Sequence, residues 1–255
     1  FEELGANVIT LGVRPSGLNI NMDCGALHPR QAQELVLKEK ADLGICLDGD
    51  ADRVVLIDQY GEVIDGDQLI GLFAKLMLCS SKMHVADEVV GTAMSNIGLE
   101  VYVQRLGLKF FRANVGDRYI WERMLLSKSP IGGEPSGHII FSEYGTTGDG
   151  ILSALKALQA IKYFGKSLRE MVREVELYPQ ILNNVKIIRK IPFEQVPSIQ
   201  QELEKVQGIL GKEGRVLLRY SGTEALARIM IEGRDLGLIS TLGQQLSKVV
   251  EEALT

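Results

Sequence analysis

The chain has 255 residues, is 45% hydrophobic and carries 27 glycines against 7 prolines, the composition of a globular protein large enough for one big domain or two to three modest ones. Its net charge of −5 comes without a stripe of lysines and arginines interleaved with aromatics, which argues against nucleic acid as a partner. No stretch approaches the roughly 20 apolar residues of a membrane span, so no membrane association is expected either.

The chain opens on Phe1-Glu2-Glu3-Leu4-Gly5-Ala6, with neither a methionine nor the basic and apolar regions of a signal peptide, and reads as the interior of a longer protein. Short apolar runs at 8–11 and 43–47 predict strands flanking a helix over 31–40, and 54–57 adds another strand, closing an α/β unit. A helix over 67–78, a strand over 88–91, a helix over 96–106 and a strand over 109–112 follow. This alternation predicts an α/β fold of mixed, mostly parallel sheets flanked by helices. Next come a helix over 116–126, a strand over 139–141 and a helix over 149–163 with Leu152, Leu155, Leu158 and Ile161 on one face. Composition shifts around Tyr178 and Pro179. Beyond it, strands over 181–188, 215–219 and 227–232, with helices over 197–210 and 236–254, make a small C-terminal α+β domain. Ile239, Leu242, Leu246, Val249 and Ala253 form the apolar stripe of its last helix. Cys24, Cys46 and Cys79, odd in number and far apart, suit reduced thiols of a cytoplasmic protein better than disulfides or a zinc cluster.

The most telling stretch is Asp48-Gly49-Asp50-Ala51-Asp52-Arg53, three carboxylates at alternate positions between two apolar strands. An acidic turn or a structural bend would also fit such a pattern. An EF-hand does not, because Arg53 stands where its turn glycine belongs and Gln59 where its closing glutamate belongs. Three anionic groups between buried strands repel one another unless a cation sits among them, which favours a hard divalent ion such as Mg²⁺.

Two further polar glycine loops stand out. Gly132-Gly133-Glu134-Pro135-Ser136-Gly137-His138 sets a carboxylate, a hydroxyl and an imidazole in one turn, suited to several hydroxyls of a sugar, though such loops also serve as plain connectors. Arg219-Tyr220-Ser221-Gly222-Thr223-Glu224, followed by Arg228, offers hydroxyls, exposed amides and two guanidinium groups to a phosphate dianion, the alternative being a β-turn with an arginine at each end. Thr146-Thr147-Gly148-Asp149-Gly150 is explained by helix capping. Arg112 and Arg118, around Asn114-Val115-Gly116-Asp117, are candidate phosphate contacts.

A metal loop, a sugar loop and a phosphate loop, in that order and each at the end of a different segment, resemble the α-D-phosphohexomutase superfamily. The likeness is nearest to its bacterial phosphoglucosamine mutases. Gly17-Leu18-Asn19-Ile20-Asn21, Met94-Ser95-Asn96, Val115-Gly116-Asp117-Arg118-Tyr119 and Thr147-Gly148-Asp149-Gly150 echo the same family between and around those loops. The resemblance implies four domains around one cleft, of which residues 1–60 are the back part of the second, 61–177 the third and 178–255 the fourth. It also implies a reaction interconverting glucosamine 6-phosphate and glucosamine 1-phosphate through glucosamine 1,6-bisphosphate, in amino-sugar metabolism that feeds cell-wall synthesis. The family's phosphoserine lies in a Ser-His-Asn segment, and no such tripeptide occurs in this chain, so the chain alone is expected to be inactive.

By the same resemblance, Asp48, Asp50 and Asp52 hold Mg²⁺, with a phosphoserine oxygen completing the coordination, and Arg53 lies beside the transferred phosphate. Glu134 and Ser136 bind sugar hydroxyls, and His138 orients the sugar or assists proton transfer. Arg219, Ser221, Gly222, Thr223 and Arg228 hold the phosphate that does not react. Asn114 departs from the family, many of whose members have a lysine there, and this removes a cation from that loop. The rival readings are a phosphomannomutase or phosphoglucomutase of the same superfamily and, in another class, a fragment that binds a phosphosugar and Mg²⁺ without turnover. A parallel sheet short of its leading strands would leave an open edge, predicting local disorder or pairing with another chain, as in a homodimer.

Overall fold

The computed structural model describes residues 1–79, 87–222 and 224–255. They form two compact units, one made of residues 1–95 and 99–176, the other of residues 96–98 and 177–255.

In the first unit, α1 (Arg30–Glu39) ends where Lys40 turns left-handed, and its Val36 packs with Cys46 and Ile57. Strands β1 (Leu43–Leu47), β2 (Val54–Asp58) and β3 (Val63–Ile64) form an antiparallel three-stranded sheet, Leu47 lying opposite Val54 and Leu43 opposite Asp58. The parallel pairing expected for this segment is not what forms. The connection over 48–53 is far shorter than the dozen or more residues that a parallel crossover needs, so β1 and β2 close as a hairpin. The strand expected over 8–11 is also absent. Val8, Ile9 and Leu11 are exposed and pair with no strand among the described residues, so the run has no ladder to hold it extended.

Parallel pairing is found in the four-stranded sheet of order β5-β4-β6-β7, built from β4 (Glu88–Thr92), β5 (Lys109–Ala113), β6 (Ile131–Gly133) and β7 (Ile139–Phe141). There β4 runs parallel to both β5 and β6, and β6 antiparallel to β7. The helices of this unit are α2 (Gly66–Cys79), α3 (Ile97–Arg105), α4 (Asp117–Ser127), α5 (Gly150–Phe164) and α6 (Leu168–Val172). α3 begins within residues that belong to the second unit. The sequence did not predict β6, whose two glycines look like loop. A side chain on Gly132 would collide with Ile120 and Met124 of α4, so glycine there is what lets that helix press on the sheet, and one on Gly133 would meet the His138 carbonyl.

The face of α5 also differs from expectation. Its buried positions are Gly150, Ser153, Ala154, Ala157 and Ala160, while Leu152, Leu155, Leu158 and Ile161 are only half-buried at its flanks. Small residues on the inner face allow α5 to pack closely on α2 and β2. At the end of β2, buried Asp58 receives the Tyr60 and Glu62 amide protons and a 2.7 Å ion pair from Arg169 of α6, so the hairpin sheet is tied to the rest of the unit.

The second unit is the α+β domain the sequence predicts. Its sheet, of order β8-β10-β9, is antiparallel throughout and comprises β8 (Gln180–Lys186), β9 (Gly214–Tyr220) and β10 (Leu226–Gly233). Helices α7 (Pro197–Leu210) and α8 (Leu236–Leu254) pack on it through Ile199, Val206, Ile239, Leu242 and Leu246. Towards its C-terminus α8 buries Val250 and Leu254, with Val249 and Ala253 beside them. Among the described helices, none is long and apolar enough to cross a membrane.

Candidate functional site

The β1–β2 hairpin throws residues 48–53 out as one loop, and its tight turn is closed by the Ala51 amide donating to the Asp48 carbonyl at 3.2 Å, with Ala51 left-handed at φ 60°. One carboxylate oxygen from each of Asp48, Asp50 and Asp52 lies within 4.8 Å of the others. The Arg53 amide donates to Asp48 Oδ1 at 3.1 Å, and its Nε lies 3.8 Å from Asp48 Oδ2 and 3.6 Å from Asp52 Oδ1. That is too far for a hydrogen bond, and both Asp52 Oδ1 and Arg53 Nε are buried with no hydrogen-bond partner among the described residues. Burial, then a hydrogen bond with Asp48 and the charge of Asp48, push the Asp52 carboxyl above the ordinary aspartate range, against a smaller opposing pull from His138. A cluster of three carboxylates with a buried, unpartnered oxygen fits a hard cation.

Two other loops clamp this one from the far side of the chain. The Val54 amide donates to the Gly137 carbonyl at 3.2 Å, the Gly150 amide donates to the Ala51 carbonyl at 2.8 Å, and Arg53 pairs with His138 in an isolated antiparallel bridge. Gly137 is left-handed at φ +87°, and a Cβ there would stand 2.0 Å from the Val54 carbonyl oxygen. A Cβ on Gly148 would meet the Asp52 carbonyl at 2.5 Å and the His138 ring at 2.6 Å. His138 itself is 4% exposed. Its Nδ1 lies 3.1 Å from Asp52 Oδ2, and its Nε2 accepts the Gly148 amide proton at 3.1 Å.

The candidate sugar loop, 132–138, shares these elements. Glu134 Oε1 accepts from the Gly116 amide at 3.1 Å, and Oε2 accepts from the Ser136 hydroxyl at 3.3 Å, which leaves Glu134 half-buried and Ser136 exposed. The structure therefore brings Asp48, Asp50, Asp52, Arg53 and His138 into one constellation, with Glu134 and Ser136 in the loop that carries His138. The capping role expected of 146–150 holds, since Asp149 accepts the Leu152 amide at 2.9 Å, but it is only part of what that loop does. Sequence reading missed Gly148 because a glycine's use as a contact surface has no local signal. Arg112 is engaged by Glu100 and the Thr92 and Ser95 carbonyls, and Arg118 pairs with Glu122 along α4 at 2.7 Å.

In the second unit the candidate phosphate loop joins β9 to β10. Arg219 and Arg228 are directly opposed in that ladder. Ser221 is buried, its amide donating to the Leu226 carbonyl at 2.8 Å and its Oγ accepting the Glu224 amide at 3.3 Å. Gly222 is exposed, and Thr223 lies outside the described residues. Arg228 Nη2 reaches Glu224 at 3.0 Å, while its Nε is buried with no hydrogen-bond partner among the described residues. Lys190, which the sequence did not single out, donates to the Ser221 carbonyl at 3.1 Å and adds a third cation.

Two family models match the chain. Residues 65–178 match the phosphoglucomutase/phosphomannomutase α/β/α domain III, and residues 182–248 match the C-terminal domain of the same family. The chain belongs to the phosphoglucomutase/phosphomannomutase family. Within that family it is 47% identical over 254 residues to a phosphoglucosamine mutase of Nitratidesulfovibrio vulgaris (strain DSM 19637 / Miyazaki F), and 48% identical over 255 residues to one of Methylococcus capsulatus. Each alignment takes in 100% of this chain but 56% and 57% of the relative, so the chain spans little more than half the length of these family members. In fold it is similar to Aspergillus fumigatus N-acetylphosphoglucosamine mutase in complex with GlcNAc-6P and magnesium. That likeness has a TM-score of 0.74 at 22% identity and covers 92% of this chain and 54% of that one.

Proposed function

We propose that the chain is part of a phosphoglucosamine mutase, an intramolecular phosphotransferase that interconverts glucosamine 6-phosphate and glucosamine 1-phosphate. The observation that carries this reading is the carboxylate cluster of Asp48, Asp50 and Asp52 with the buried, unpartnered Asp52 Oδ1 and the Arg53 guanidinium beside it. The likeness to phosphoglucosamine mutases along the whole chain supports the choice of sugar.

Asp48, Asp50 and Asp52 would hold Mg²⁺, which when bound neutralises charge on a transferring phosphoryl group. Arg53 would lie beside that group. Glu134 and Ser136, their oxygens retaining spare lone pairs, would bind sugar hydroxyls. Arg219, Ser221, Gly222, Thr223 and Arg228 would hold a phosphate through paired guanidinium donors and exposed amides. In this reading glucosamine 1,6-bisphosphate is the intermediate, residues 1–60, 61–177 and 178–255 belong to three successive domains, and the location is cytoplasmic. The phosphoryl donor would lie in a part of the relatives' length beyond this chain, and pairing of two copies would be read from sedimentation.

The test is an assay of a chain of the relatives' full length with glucosamine, mannose and glucose phosphates, each with its catalytic bisphosphate. Turnover highest on glucosamine phosphates is expected. Preference for mannose or glucose phosphates would reassign the substrate, and no turnover on any would leave only a binding protein.

A further inference from the structure

His138 is placed unlike a proton carrier. Its ring is almost wholly buried, and both nitrogens are engaged. The partner of Nε2 is a backbone N–H, that of Gly148, which can only donate. Nε2 is therefore the accepting nitrogen, and the proton on Nδ1 is directed at Asp52 Oδ2 3.1 Å away. A second ring proton would confront the Gly148 N–H head-on. With Oδ2 taken by the histidine, the other oxygen, Oδ1, is the one that remains buried and without a hydrogen bond. The backbone holds the arrangement in register, since Arg53 bridges His138 and Val54 donates to Gly137.

We propose that His138 is a positioning residue, whose Nδ1–H holds Asp52 so that its free oxygen faces a divalent cation, rather than a group that exchanges protons with a substrate. Outer hydrogen bonds of this kind fix the direction of a ligating carboxylate and commonly alter metal affinity by about 10- to 100-fold. This rests on the reading of Asp48, Asp50 and Asp52 as a cation site.

Two substitutions separate the ring's two hydrogen bonds. His138→Asn places an amide nitrogen where Nδ1 was and keeps a donor for Asp52, but loses the acceptor for Gly148. His138→Gln keeps an acceptor near Gly148 and loses the donor to Asp52. Mn²⁺ affinity, measured by electron paramagnetic resonance on a chain of the relatives' full length, is expected to be within about threefold of the parent in the Asn variant and about 10- to 100-fold weaker in the Gln variant. A purely structural histidine would give two variants of equal affinity, and that result overturns the proposal. A parent that binds no Mn²⁺ overturns the cation-site reading and this inference with it. A parent that binds, with a Gln variant that binds equally well, overturns this inference alone. Should either variant fail to fold, long-range ¹H–¹⁵N correlation of the His138 ring in the parent decides the point. The Nδ1–H tautomer is expected at His138, and an Nε2–H tautomer refutes the assignment.

Discussion

Arg219 and Arg228 are Cα partners across the β9–β10 ladder, so two guanidinium groups stand side by side on one face of the sheet. Like charges directly opposite each other destabilise a sheet by roughly 0.2–1 kcal/mol. Glu224 reaches Arg228 from the exposed side, yet Arg228 Nε stays buried and unpartnered among the described residues. An arrangement that costs stability when empty and presents converging donors is expected to be relieved by a dianion.

In phosphate-free buffer, Arg219→Ala is therefore expected to be at least as stable as the parent, gaining up to about 1 kcal/mol. Added glucosamine 6-phosphate should raise the parent's melting temperature, by the equivalent of about 2.7 kcal/mol at a hundredfold excess over its dissociation constant. The variant should show little of that rise. Equal ligand-induced shifts in parent and variant would remove the phosphate assignment.

Asp52 makes a prediction about pH. Its folded carboxyl lies above the ordinary aspartate range because of burial and of the neighbouring Asp48. The folded state then keeps this proton to higher pH than the unfolded chain does. The associated stability is fully present below the ordinary aspartate value and is lost as pH rises through the folded one. With chelator present, urea midpoints of the parent should fall relative to those of Asp52→Asn as pH rises through that window. Saturating Mg²⁺ should close the gap. A difference between the two proteins that does not change with pH would contradict this.

Gly137 should tolerate no side chain. With φ at +87° and the Val54 carbonyl oxygen 2.0 Å from the Cβ position, Gly137→Ala must displace the clamp on the 48–53 loop. A loss of about 3 kcal/mol or more is expected, since both backbone strain and a collision contribute. Gly145→Ala is the control, because its nearest neighbour is 3.9 Å away, and it should change stability by no more than about 0.5 kcal/mol. Chemical denaturation of both variants makes the comparison, and equal losses would show that the clamp is dispensable.

In the second unit, Glu232 is fully buried and held by Arg215 Nε at 2.8 Å and by the Ile97 amide at 3.1 Å. Removing the arginine alone leaves a buried carboxylate without its counter-charge. Arg215→Ala should cost about 3–5 kcal/mol, and the double variant Arg215→Met with Glu232→Leu should recover much of it. If the double variant is less stable than Arg215→Ala in urea titrations, the loss arises from packing and not from the stranded charge.

Most helices were legible because their apolar spacing is local, and α7 coincides with the range its pattern predicts. Misreadings came where the sequence pattern and the packing part company. The strand expected over 8–11 had the right residues but no partner, and β6 had a partner but the wrong-looking residues. In α5 the leucines advertise a face that the smaller alanines in fact occupy, because close approach to α2 and β2 selects for small volume. Alternation of strands and helices predicts mostly parallel sheets, whereas no helix separates β1 from β2 and their short connection closes them as an antiparallel hairpin.

By itself the sequence determined the groups that act through chain neighbours. Three aspartates at alternate positions must lie close together in any tight loop, and Arg219, Ser221 and Gly222, within four residues of one another, offer the same donors wherever the loop goes. Only the tertiary structure decided what those groups face. That His138 directs its proton to Asp52, that Gly148 occupies its other nitrogen and that Arg219 meets Arg228 all depend on loop approach and strand register. Contacts between residues far apart in the chain are fixed by the packing of whole elements, and leave no trace in the local spacing from which a sequence is read.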